Sequence, residues 1–291
     1  MCLHCCKGLV FLRSNVAKNG VLAANRGKNT TFTLCKTVIF LSHKTLMNKD
    51  IYNVLSNEWL TESVVRLVVE GDTSAIKRPG QFVNIAVQGF YLRRPISVCD
   101  YDGSTITLVY KVVGEGTEAL ARYGKGDKLD ILVGLGNGFD TAADCTKPIV
   151  IGGGVGVPPL YGLTKKLLEV GKKPSVVTCF NTKKELFLLD DFRKLGVEVA
   201  VATVDGSCGV KGYYSDAIDD CGIEYDYYYT CGPLAMLRNI HRTLEVDGQI
   251  SLEERMGCGF GGCMGCSYKT RDGYRRVCTD TVVIARDILF D

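Results

Sequence analysis

The rhythm of this 291-residue chain changes at Lys147, and that change limits the folds open to it. Upstream, from about Ile51 to Asp140, short apolar runs are separated by turn signals. Val64 to Val69, GQFVNIAV (Gly80 to Val87) and LDILVGLG (Leu129 to Gly136) read as strands. PISVCDYDGSTITLVYKVV (Pro95 to Val113) reads as two strands broken at Asp102-Gly103, a dipeptide favoured in tight hairpins. Several short strands with little helix predict a small antiparallel β-barrel. Downstream, PIVIGGG, PSVVTCFN, VEVAVATVDG and YDYYYTCGP read as strands. VPPLYGLTKKLLEVGK, ELFLLDDFRKLG and PLAMLRNIHRTLE read as the helices between them. That alternation predicts a doubly wound α/β domain with a parallel sheet. A chain of this length exceeds what one core usually serves, so two domains and a smaller module fit it. The expected boundaries are an N-terminal extension at 1–46, a β-barrel domain at 47–145, an α/β domain at 146–250 and a C-terminal module at 251–291.

The C-terminal module is marked by ERMGCGFGGCMGCSYKTRDGYRRVC, in which Cys258, Cys263, Cys266 and Cys278 are spaced C-x4-C-x2-C-x11-C. Three thiolates on one glycine-rich loop, with a fourth returning from a distance, can surround a small inorganic cluster. The opening triplet is the plant-type [2Fe-2S] spacing. Two other readings stand beside it. A zinc site prefers paired C-x2–4-C knuckles. A disulfide pair needs an oxidising compartment and usually a smaller, loop-rich chain.

The other ten of the 14 cysteines are scattered through apolar stretches, as expected of reduced, buried thiols in a cytoplasmic protein. No run of 18 apolar residues predicts a membrane span. The net charge of +3 arises at one end. Residues 1–46 hold seven Lys/Arg and no Asp/Glu, which leaves the rest of the chain at −4. A mildly acidic body argues against a nucleic-acid partner. The basic, acid-free stretch resembles an organellar transit peptide in composition. With no amphipathic helix pattern in it, it reads rather as sequence upstream of a start at Met47.

Two motifs in the α/β half point to a dinucleotide. GGGVGVPPL (Gly152 to Leu160) lies between a strand and a helix, where glycines admit a pyrophosphate to the backbone and the helix start supplies partial positive charge. CGPLAM (Cys231 to Met236) repeats the arrangement after a later strand. The plain alternative at each is a tight strand–helix turn or a packed core thiol. In the barrel half, RRPIS (Arg93 to Ser97) offers Arg94 as a phosphate clamp and Ser97 as a hydrogen-bond partner. GEGT (Gly114 to Thr117) offers a second anion-binding turn before a short helix. A surface arginine and an ordinary turn are the alternatives there.

Hydrolytic chemistry finds no support, since GxSxG, HExxH and P-loop motifs are all absent. Of three histidines, His4 and His43 fall in the N-terminal stretch and His241 on an amphipathic helix. Sparse acid–base equipment suits redox chemistry, where cofactors carry the reaction and the protein positions them.

A barrel with RRPIS and GEGT, followed by an α/β domain with GGGVGVPPL and CGPLAM, resembles the ferredoxin–NADP reductase superfamily. With the C-terminal cysteine motif, residues 47–291 are similar to electron-transfer subunits of class 1B dihydroorotate dehydrogenases. The resemblance implies FAD contacts from Arg94, Pro95, Ser97, Val109, Tyr110, Lys111, Gly116 and Thr117. It implies NAD contacts from Gly153, Gly154, Gly156, Cys231 and Gly232, and cluster ligation by Cys258, Cys263, Cys266 and Cys278. It implies an FMN-containing dihydroorotate dehydrogenase catalytic subunit as partner, with two chains of each. Electrons would pass from that partner through [2Fe-2S] and FAD to NAD+ in pyrimidine biosynthesis. The alternatives are the FAD/[2Fe-2S] subunit of another reductase complex (ferredoxin:NADP, sulfite reductase or hydrogenase type) and a zinc-binding interaction module. No acidic residue ends the second α/β strand, and Lys183 and Lys184 in FNTKK offer either a 2′-phosphate contact, favouring NADP, or a solvated surface; the resemblance favours NAD. The segment DGSCGVKG (Asp205 to Gly212) has a counterpart in the family, with no role legible from its residues.

Overall fold

A computed structural model describes residues 48–290. The readings made for residues 1–46 lie outside the described residues. Six antiparallel strands close a barrel in the order β1-β2-β5-β4-β3-β6. They are β1 (Asn48–Trp59), β2 (Val64–Glu70), β3 (Phe82–Ile85), β4 (Arg94–Tyr101), β5 (Thr105–Lys111) and β6 (Lys128–Leu135), with helix α1 (Glu115–Ala121) between the last two. The β4–β5 turn closes on Asp102, whose Oδ1 accepts the N–H groups of Ser104 and Thr105.

Strand alternation gives the barrel two functional faces. Val65, Leu67, Val69, Ile106, Leu108 and Tyr110 fill its interior. The intervening Val64, Cys99 and Val109 point out and share a second core with the α/β layer. That layer contains β7 (Pro148–Gly153), α2 (Pro158–Glu169), β8 (Ser175–Phe180), α3 (Leu189–Lys194), β9 (Glu198–Thr203), β10 (Val210–Lys211), α4 (Tyr214–Cys221), β11 (Tyr227–Cys231), α5 (Leu234–Thr243) and β12 (Gly248–Ser251). The hairpin β13 (Ser267–Thr270) and β14 (Gly273–Arg276) follows, then β15 (Val282–Ile284). The sheet order is β10-β9-β8-β7-β11-β12-β15, parallel except for β15, which runs antiparallel to β12.

The barrel and sheet are joined at close range. Helix α2 lies on β4 at Gly162, where a Cβ would fall 2.8 Å from the Cys99 carbonyl oxygen. Ion pairs flank this contact, Lys165 to Asp100 at 2.6 Å and Arg66 to Asp191 at 2.8 Å. One expected helix is shorter than its sequence pattern. ELFLLDDFRKLG is helical only from Leu189, because Leu186 is extended and Leu188 is left-handed (φ 63°). That excursion buries Phe187 and Leu188 against the core.

Candidate functional site

In the sheet, β8 and β9 lie on one side of β7, whereas β11 lies on the other. Such a reversal opens a crevice beyond the C-terminal strand ends, where open α/β sheets take ligands. Both glycine-bearing loops meet there. A Cβ on Gly156 would fall 2.4 Å from the Cys231 carbonyl, so the loops touch backbone to backbone. Gly153 and Gly154 line a sheet cleft of about 530 Å³. Gly154 has φ 52° and open space beside its Cα, so a ligand can reach the main chain.

The same loop bounds a second cleft, through Val155. This barrel cleft, about 430 Å³, is lined by Arg94, Pro95, Ser97, Val109, Tyr110, Lys111 and Thr117, among others. Gly116 lies beneath the Arg94 side chain, at a spacing that leaves no room for a Cβ. The Gly153–Gly156 turn is therefore a wall common to two adjoining clefts, one on the sheet and one on the barrel.

Electrostatics distinguish the two neighbouring arginines. Arg93 pairs with Asp130 at 2.8 Å. Arg94 instead donates to the Leu92 carbonyl and lies over the Phe90 ring, with no carboxylate partner among the described residues. An unneutralised guanidinium at a cleft edge suits a phosphate. The GEGT turn is held by Thr117, whose Oγ1 accepts the N–H groups of Val113 and Gly114. Helix α1 has only seven residues, so positive charge at this end rests chiefly on Arg94. Tyr110 is buried, which pushes its hydroxyl up to about 12 and keeps it neutral.

Cys231 and Gly232 sit behind the glycine turn and do not line either cleft. Burial, reinforced by Glu253, raises the Cys231 thiol far above its ordinary range, so it is a protonated packing group rather than a nucleophile.

Several lining residues were not legible in the sequence. Glu253, Glu254 and Met256 enter the barrel cleft because β12 returns the chain beside β11. Burial raises the Glu253 carboxyl above the usual carboxylate range. In the sheet cleft the acidic group expected to be missing is present. A 3-10 turn over Lys183–Glu185 brings Glu185 into the wall, where its Oε2 accepts from Asn181 N (3.2 Å) and Nδ2 (3.0 Å). Lys183 and Lys184 are not among the lining residues. The Asp205 to Gly212 segment forms a turn that donates Gly212 and the following Tyr213 to this wall.

The four motif cysteines form two neighbouring pairs. Cys263 N–H donates to Cys258 Sγ at 3.4 Å, and Cys278 N–H donates to Cys266 Sγ at 3.5 Å. Burial opposes ionisation of Cys258, but N–H groups of Phe260, Cys263 and Gly262 outweigh it and bring the thiol down to about 6. Two pairs of thiols fit a two-iron cluster, in which each iron takes two protein ligands. No three His, Cys, Asp or Glu side chains among the described residues converge on one metal-ion point. The loop docks on the barrel, with Asn84 Nδ2 donating to the Cys258 carbonyl at 3.3 Å. Met256, two residues before Cys258, lines the barrel cleft, so cluster loop and cleft are contiguous.

These features define an oxidoreductase subunit of the FAD/NAD-binding fold, in which a barrel and a parallel α/β sheet are joined by a small C-terminal iron–sulfur-binding region. Residues 253–281 match the family model described as the iron-sulfur cluster binding domain of dihydroorotate dehydrogenase B, which displaces the zinc and disulfide readings. The chain is 39% identical over 251 residues to the dihydroorotate dehydrogenase B (NAD(+)) electron transfer subunit of Fusobacterium nucleatum, covering 81% of this chain and 96% of that one. It is 41% identical over 249 residues to the same subunit of Bacillus mycoides, with the same coverage. Among solved structures, an NADH-dependent reduced ferredoxin-NADP oxidoreductase superposes with TM-score 0.75 at 28% identity, over 83% of this chain and 91% of that one. A ferredoxin NADP+ reductase from Neisseria gonorrhoeae (TM-score 0.58, 16% identity, 67% and 89% covered) shares the fold. The chain belongs to the family of dihydroorotate dehydrogenase B electron transfer subunits. No helix among the described residues is long and apolar enough to cross a membrane.

Proposed function

We propose that this chain is a redox adaptor. It accepts electrons released when an FMN-containing catalytic subunit oxidises dihydroorotate to orotate, and it delivers them to NAD+. The observation that carries this reading is the shared wall at Gly153–Gly156, with one cleft on each side and the cysteine loop contiguous with the barrel cleft. When bound, FAD supplies the exchange between one-electron traffic with a [2Fe-2S] cluster and two-electron hydride transfer to NAD+.

The residues have distinct tasks in this reading. Arg94, freed from carboxylates, holds the FAD pyrophosphate, and the Thr117-braced turn shapes the cleft beside it. Pro95, Ser97 and Val109 to Lys111 line the flavin, and Gly116 lets Arg94 lie flat. Gly153, Gly154 and Gly156 admit the NAD pyrophosphate to the main chain, while Cys231 and Gly232 support that turn from behind. Cys258, Cys263, Cys266 and Cys278 hold the cluster. The catalytic subunit docks over the cysteine loop, where Phe260 and Met264 are exposed, in an assembly of two chains of each kind.

Co-expression with the candidate FMN subunit tests the proposal. Dihydroorotate-dependent NAD+ reduction is expected only with both chains present. A complex that holds flavin and iron yet lacks this activity would assign the chain to another reductase assembly.

A further inference from the structure

The loop bearing the cysteines is clasped by one side chain that no motif singled out. Arg276 ends β14, two residues before Cys278, and its guanidinium reaches back across the module. Its Nη1 donates to the carbonyl of Gly261, which lies between Cys258 and Cys263, and sits 3.5 Å from Met264 Sδ. Its own carbonyl accepts the N–H groups of Thr279 (3.0 Å) and Asp280 (2.8 Å), fixing the turn that carries Cys278. Arg276 thus touches both arms of the ligand loop.

Its charge has no local counterpart. The adjacent Arg275 pairs with Asp272 at 3.6 Å. The Asp280 carboxylate takes the Thr279 hydroxyl at 2.7 Å. Arg276 makes no ion pair among the described residues and is half-buried, so solvent screens its charge only in part. Through Gly261 the guanidinium is held against the segment between Cys258 and Cys263, two cysteines that would be thiolates when they ligate a cluster. A cluster held by four thiolates carries net negative charge and gains more on reduction, and its potential follows net charge, hydrogen bonding and exposure.

We propose that Arg276 is a positioning and tuning residue that raises the reduction potential of the cluster. The proposal rests on the cluster assignment above. It goes further in naming the residue that sets how readily the cluster accepts an electron.

The test is an anaerobic redox titration of the full-length, cofactor-loaded chain, following the cluster by electron paramagnetic resonance and the flavin by absorbance. At the potential where the wild-type cluster is half reduced, Arg276→Gln is expected to raise the oxidised-to-reduced ratio about tenfold, equivalent to about 59 mV for a one-electron couple. The flavin potential is expected to stay in place. Arg276→Lys keeps the charge and is expected to remain within about threefold of wild type. An unchanged cluster ratio in R276Q, or an equal shift of cluster and flavin, would overturn the proposal. If R276Q does not retain iron, R276K decides: a tenfold shift despite the retained charge would overturn it. A wild-type chain without iron would refute the cluster assignment itself and is recognised by metal analysis before any variant is titrated.

Discussion

Gly116 lies directly against the guanidinium of Arg94: a Cβ at that position would fall 1.9 Å from Nε and 2.4 Å from Nη2. Two motifs about twenty residues apart are thereby one device, the glycine supplying the space in which the cation is held. Gly116→Ala forces Arg94 aside while leaving the barrel core untouched. The expected outcome is roughly a tenfold or greater loss of FAD affinity, the order of one charge-assisted hydrogen bond. Flavin release measured by fluorescence checks it, with the melting temperature of the flavin-free chain nearly unchanged.

Gly156 makes a different contact. Its hypothetical Cβ meets main-chain atoms, Cys231 C and O at 2.4 Å and Gly232 N at 2.5 Å, which cannot rotate away. Gly156→Ala is therefore expected to lower stability by about 1–3 kcal/mol through overpacking. Thermal unfolding should show a melting temperature lower by several degrees, together with weaker NADH binding.

Glu185 bears on nucleotide choice. It stands just past β8, where an acidic residue can take a ribose hydroxyl and repel a 2′-phosphate. Glu185→Gln keeps an acceptor for Asn181 and removes the charge. NADPH affinity is expected to rise roughly tenfold, as for loss of one like-charge contact near a protein surface. NADH affinity should stay within about threefold. Equilibrium titration of each nucleotide provides the comparison.

The Glu253 carboxyl has a folded-state pKa raised by burial. Its contribution to stability is therefore present below the unfolded pKa and is lost as pH rises through the folded value. Glu253→Gln removes this dependence. The variant should match wild type in acid and become the more stable of the two toward neutral pH, as read from melting temperatures across that range.

Much of the architecture was legible because it is written in side-chain period. Val65, Leu67 and Val69 alternate with outward residues, and the Asp102-Gly103 break marks the β4–β5 turn. β1 left little trace, since only Tyr52 and Val54 along its length are buried. The run ELFLLDDF has helical spacing, but burial of Phe187 and Leu188 overrides it through the left-handed Leu188. Glu185 and Glu253 were not readable as cleft residues for a related reason. One arrives through a single 3-10 turn and the other by the return of β12 beside β11, and neither position has a sequence period. The pairing of Gly156 with Cys231 is likewise a long-range contact that each motif alone does not imply.

The proposed relay needs one chain to join a flavin, a two-iron cluster and a nicotinamide nucleotide. Its most direct test is an anaerobic titration of the purified full-length chain with NADH, recording the visible spectrum after iron and flavin analysis. One FAD and two irons per chain are expected, with NADH bleaching the flavin bands and an iron–sulfur paramagnetic signal developing as electrons reach the cluster. A colourless chain holding zinc, or a flavin that NADH leaves oxidised, would contradict it.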